Sequence, residues 1–138
     1  EDVRIERIAE GLHEPLGLAF ADGALHVMQK QEITRLVDHD GDGWTDEYRT
    51  LANDWGATSN FHEFGFGLAA GEGELFAALS VCILAGGKSC PDQTPERGKV
   101  LRVSLATGAV GIVAEGLRTP NGVARCAGRG TEHALRRR

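Results

Sequence analysis

Ile8-Ala9-Glu10-Gly11-Leu12-His13-Glu14-Pro15-Leu16-Gly17-Leu18-Ala19 and Val113-Ala114-Glu115-Gly116-Leu117-Arg118-Thr119-Pro120-Asn121-Gly122-Val123-Ala124 are two versions of one segment. They agree at seven of twelve positions, at an offset of 105 residues. Between them, Phe66-Gly67-Leu68-Ala69-Ala70 repeats the Gly-Leu-Ala element, so that glycines fall at 17, 67 and 122, in steps of 50 and 55. A period of that length holds four short strands and a loop, which is one blade of a β-propeller.

The rest of each period fills in accordingly. Strand patterns run over 17–20, 24–29, 32–37 and 47–51, then over 65–70, 74–80, 99–104 and 109–114, with Gly-bearing turns at Asp22-Gly23, Gly71-Glu72-Gly73 and Thr107-Gly108. Arg4–Ile8 reads as the outer strand of a preceding blade. The expected fold is all-β: a β-propeller fragment of about two four-stranded blades plus the start of a third, over residues 1–124. A solenoid or an unrelated sandwich remains the alternative. A propeller closes only with at least four blades, so this stretch is expected to belong to a larger ring. The opening at Glu1, with neither initiator Met nor signal pattern, fits a start inside a longer protein. Residues 125–138 are Arg-rich and lose the period-2 alternation, and are expected to be an aberrant tail, disordered or born of a shifted reading frame.

Composition narrows the function classes. The chain carries a formal net charge of −5, and its one basic run is Arg136-Arg137-Arg138, so it lacks the basic, aromatic-interleaved face that nucleic-acid binding requires. No apolar run approaches the roughly 18 residues of a membrane span. Cys82 and Cys90 bracket a Gly-rich loop, and spacing leaves open whether they pair. Cys126 has no evident partner. The acid is concentrated in Asp38-His39-Asp40-Gly41-Asp42-Gly43-Trp44-Thr45-Asp46-Glu47, a D-x-D-x-D-G-x-x-D pattern. Carboxylates at alternate positions of a Gly-turned loop can converge on a hard, oxygen-seeking cation, and calcium is the natural occupant. The expected ligands are the side chains of Asp38, Asp40, Asp42 and Asp46 with the Trp44 carbonyl, Glu47 or water completing the shell. Arg49 stands where an EF-hand carries its bidentate Glu, so this is a calcium loop between strands with a structural role. A solvated Asx-turn loop without metal is the competing reading.

Residues just before each innermost strand line one face of a propeller. His13 and Glu14, His62 and Glu63, and Arg118 and Asn121 take that place in successive blades, with a register ambiguity because Gly65 and Gly67 both align with Gly17. Histidine accepts a proton near neutral pH, and arginine holds and polarises a carbonyl or an anion. A buried structural His62 is the other reading. His13, His26, His39 and His133 read as bystanders.

Gly116-Leu117-Arg118-Thr119-Pro120-Asn121-Gly122-Val123-Ala124 resembles the G-[LHY]-R-N-P-Q-G-L-A element of the soluble glucose/sorbosone dehydrogenases, six-bladed propellers that use pyrroloquinoline quinone (PQQ) and calcium. His62-Glu63-Phe64-Gly65 is similar to their D-H-x-x-G-R-L segment. Over nearly all of residues 1–124 the chain further resembles large bacterial membrane-bound dehydrogenase-like propeller proteins, which often carry an appended cytochrome c domain. The stretches concerned include Gln29-Lys30-Gln31-Glu32, Asn53-Asp54-Trp55-Gly56, Asn60-Phe61-His62-Glu63-Phe64 and Arg97-Gly98-Lys99-Val100.

The resemblance implies a quinone-dependent sugar or alcohol dehydrogenase. His62 would take the hydroxyl proton as hydride passes to the quinone, Arg118 would stabilise charge on the quinone oxygen, and Arg118 with Asn121 would hold the cofactor. A cytochrome c electron acceptor and a periplasmic or otherwise extracytoplasmic location go with it. Phe61 stands where the family has Asp, Asn121 where it has Gln, and Phe66 near its Arg. The fragment by itself is expected to be inactive. The alternative is a non-catalytic, calcium-stabilised propeller that binds carbohydrate or a protein partner.

Overall fold

A computed structural model describes residues 2–126. Eight strands follow one another: β1 (Gly17–Ala21), β2 (Ala24–Met28), β3 (Ile33–Val37), β4 (Glu47–Ala52), β5 (Gly65–Ala70), β6 (Glu74–Leu79), β7 (Lys99–Ser104) and β8 (Val110–Ala114). They form two four-stranded antiparallel sheets in the orders β1-β2-β3-β4 and β5-β6-β7-β8. Every strand end lies within one residue of the sequence expectation. Helix among the described residues is confined to one 3₁₀ turn, Ala85–Gly87. The five-residue pattern over Arg4–Ile8 does not become a strand. Extended residues form a ladder only beside another strand, and among the described residues none runs alongside; the one tie is the Ile8 carbonyl, which accepts the Thr45 N–H at 2.9 Å. The expectation for the tail falls largely on residues 127–138, and that for His133 wholly so; both lie outside the described residues.

The hairpins form because their turns carry the right residues. Asp22 (φ 49°) and Gly23 (φ 68°) both take positive φ, the twist-matching geometry of a two-residue hairpin. The two sheets are register copies. Counting rungs from each turn, Phe20↔Leu25, Ala19↔His26 and Leu18↔Val27 correspond to Ala70↔Leu75, Ala69↔Phe76 and Leu68↔Ala77, a constant shift of 50. Gly67 is therefore the equivalent of Gly17. It is also the extra residue of a bulge between Phe66 and Leu68, which is why Gly65 matched equally well by sequence.

One face of the first sheet packs on one face of the second. Met28, Ile33 and Ala52 form a single buried cluster with Leu68, Leu75, Ala77, Leu79, Leu101 and Val103, closed by Trp55. Each fully buried Leu or Val there contributes about 1.5–3 kcal/mol. At the inner edge the sheets approach so closely that only glycine fits. A Cβ on Gly17 would lie 2.6 Å from the Gly67 carbonyl carbon, and one on Gly67 would lie 2.8 Å from the Val123 nitrogen. The three periodic segments thus stand side by side: Gly17 against Gly67, and Gly67 against Gly122-Val123.

Candidate functional site

Strands running up and down put connections alternately at two ends. The turns after β1, β5 and β7 gather at one end, where Phe20–Asp22, Ala70, Gly71, Gly73 and Leu105-Ala106 surround one cleft. The β3–β4 loop, Asp38–Asp46, is at this turn end too. The opposite, start end holds the residues leading into β1 and β5, the short β2–β3 connection (29–32) and the long β6–β7 connection (80–98).

The acidic loop is built as a set of Asx turns. Asp38 accepts the N–H groups of Gly41 at 2.7 Å and Gly43 at 2.9 Å, Asp40 that of Asp42 at 3.2 Å, and Asp42 that of Trp44 at 2.7 Å. One oxygen from each of Asp38, Asp40 and Asp42 falls within 4.8 Å of the others. The Gly43 N–H, then that of Gly41, holds the Asp38 carboxyl below its ordinary range, so the charge a cation needs is present. This exposed, all-oxygen set fits a hard cation. Asp46 instead closes the loop, accepting the His39 N–H at 2.7 Å. Glu47, expected as a completing ligand, faces Arg49 at 2.9 Å and His39 at 2.9 Å. The Arg49 guanidinium two residues along the strand claims it first and holds its pKa low.

At the start end the structure ties His62 and Arg118 to one stretch. The His62 carbonyl accepts the Ile83 N–H at 3.0 Å, and the Arg118 carbonyl accepts the Val81 N–H at 2.9 Å. Between these two sits Cys82, bonded to Cys90 with their Cα atoms 5.4 Å apart. The pairing that spacing left open is made. The Arg118 guanidinium donates to the Gly87 carbonyl inside the disulfide-closed loop. Asn121 is exposed, three residues on. The His62 N–H donates to Asn60 at 2.7 Å, and its ring continues a row of aromatics, 5.9 Å from Phe61 and 5.5 Å from Phe64, with Phe66 a further 5.3 Å on. His13 stays in the neighbouring sheet, its Nδ1 2.8 Å from Gln31 Oε1. Glu14 lies 3.9 Å from Lys30 Nζ.

Contrary to the expectation from the sequence, Glu63 does not line the open face beside His62. Whereas its neighbour His62 is half-buried, it is fully buried against Arg97, Oε1 to Nε 2.7 Å. Its other oxygen accepts the Thr58 N–H at 3.0 Å. The Arg97 guanidinium donates to backbone carbonyls instead: Gly56, from Nε (3.0 Å) and a terminal nitrogen (2.7 Å), Phe64 (3.1 Å) and Lys30 (3.3 Å). Burial pulls its pKa down against the opposing pull of Glu63, and a guanidinium remains charged under such a shift. This clamp joins both sheets and fixes the backbone that carries His62. Sequence reasoning missed it, because Glu63 lies ahead of β5, where no alternation pattern says which way a side chain turns.

No known protein family's profile matches this chain. No curated protein matches it either.

Proposed function

We propose that the chain is part of a calcium-binding β-propeller whose start end receives a small hydroxylated ligand, a sugar or alcohol, between His62 and Arg118. The propeller reading is supported by the lateral order Gly17, Gly67, Gly122, each segment repeating its neighbour's place. The observation that carries the ligand site is the attachment of His62 and Arg118, far apart in sequence, to the same stretch 81–83. The calcium loop lies at the opposite end, so its cation braces the fold and takes no part in the chemistry. The disulfide accords with an oxidising, extracytoplasmic compartment. Among the described residues no helix is long and apolar enough to cross a membrane.

In a dehydrogenase of this design the imidazole of His62 accepts the hydroxyl proton, while the Arg118 guanidinium faces developing negative charge. In the parent protein a quinone would be the hydride acceptor and a cytochrome c the onward electron path. The residues present do not by themselves fit that cofactor. Its several carboxylates need more cations than Arg118, which with Asn121 forms an open, exposed pair. This chain alone is therefore expected to oxidise nothing. The parent propeller decides the matter: quinone-dependent dye reduction with aldoses or alcohols, lost on His62→Ala, supports the enzyme, and its absence with every such substrate overturns it.

The second reading, a non-catalytic carbohydrate-binding propeller, is favoured by the aromatic row Phe61, His62, Phe64 and Phe66. Ring faces pack against the C–H faces of sugars without any redox partner. Glycan binding without dye reduction, weakened by Phe61→Ala, is its expected signature.

A further inference from the structure

The strand register makes the two outer faces of the molecule equivalents of the two faces already packed together inside it. Sheet one meets sheet two through the face of Ala19, His26, Met28, Ile33 and Arg35. The rungs Ala19↔His26↔Arg35 and Met28↔Ile33 have the counterparts Ala69↔Phe76↔Arg102 and Ala78↔Val100 on the far side of sheet two. The converse holds as well. Leu68, Leu75 and Ala77, at most 8% exposed in the internal interface, have the counterparts Leu18, Leu25 and Val27 on the far side of sheet one. There Leu18 is 61% exposed and its neighbour Phe20 70%. Leu18, with Leu16, Leu25 and the buried Val27 and Leu36, lines an apolar cleft of about 510 Å³ shared with Ile8 and Leu12 of the leading segment; Phe20 stands outside it.

We propose that this face of sheet one is a docking surface for the far face of sheet two in a second copy of the chain. The internal sheet–sheet contact is thereby repeated between molecules. The occupant follows from continuity: each copy carries one face of each kind, and the pair is the one that already packs within the chain. The contact is heterologous, so association runs head to tail, toward a ring or an open filament. Segment 113–124 is the built-in competitor. Its end, Gly122-Val123, lies beside Gly67 as β5 lies beside Gly17, on the place that β1 of the incoming copy takes. Seven shared positions of twelve make the exchange close to neutral in local contacts, and burial of the apolar face tips it toward assembly.

The test uses sedimentation velocity of the full chain over a hundredfold concentration range. Wild type is expected to form concentration-dependent oligomers. Phe20→Lys blocks one face and Ala69→Lys the other; each alone is expected to sediment as monomer, and their equimolar mixture as a dimer and nothing larger. Leu18→Lys is a second probe of the first face and must behave as Phe20→Lys does. Trypsin cleavage after Arg118 should rise at least threefold in the mixture relative to either variant, reporting the displaced segment. A wild type that stays monomeric throughout, which would assign the face to some other occupant, overturns the proposal. So do blocked variants that still self-associate, and a mixture that stays monomeric.

Discussion

His26 is fully buried in β2 with neither ring nitrogen hydrogen-bonded. Burial first, then the Arg35 charge across the rung, pulls its pKa below 6.5. The folded state therefore refuses a proton that the unfolded chain accepts. Stability is fully present above about pH 6.5, falls as pH drops through that value, and levels off below the lowered pKa. The repeat itself names the remedy, since Phe76 occupies the equivalent rung. His26→Phe is expected to raise stability by about 1–2 kcal/mol at neutral pH, and to flatten urea midpoints between pH 5 and 7. Retention of the wild-type slope would contradict this. At the clamp, Arg97→Ala strands a buried Glu63 carboxylate and should cost about 3–5 kcal/mol in urea unfolding. Of these residues the sequence made only the histidine's strand legible. Its burial and the partner of Glu63 depend on which face of each sheet turns inward, and that is decided by the second sheet.

Among the elements, the inner hairpins and their period were legible to within a residue, because alternation and Gly-bearing turns are local signals. The bulge at Gly67 was not, since one inserted residue leaves the pattern nearly intact and merely doubles the plausible alignments. Gly67→Ala places a Cβ against the backbone of Val123 at a positive φ, with an expected cost of about 2–3 kcal/mol. Gly23→Ala, also at positive φ but with nothing within 4 Å, should cost about 1 kcal/mol. A comparison of their melting curves checks the ordering. The acidic loop was legible as a cluster, whereas the diversion of Glu47 to Arg49 and His39 was not. Calcium at millimolar concentration is expected to raise the melting temperature, and Asp40→Asn to abolish the rise. An identical melt with calcium and with chelator would remove the metal. Reduction of Cys82–Cys90 should lower stability by about 2 kcal/mol, as expected for a short closed loop.

For the molecule as a whole, both sheets share one apolar cluster, so they are expected to unfold together. Trp55, at 6% exposed, reports the seam between them, and its fluorescence transition should coincide with loss of strand signal in circular dichroism. Leu101→Ala, in the second sheet, should shift both transitions equally, by about 2–5 kcal/mol; separate midpoints would mean two independent units. The repeat also differs between its copies at one place above all. Where the first sheet joins β2 to β3 through residues 29–32, the second joins β6 to β7 through residues 80–98, and the rungs on either side keep their correspondence. Nineteen residues are accommodated at the start end without moving a single backbone pairing. Such a scaffold tolerates a connection of very different length at this position, because the ladder beneath is held by its own strand pairs and does not depend on what joins them.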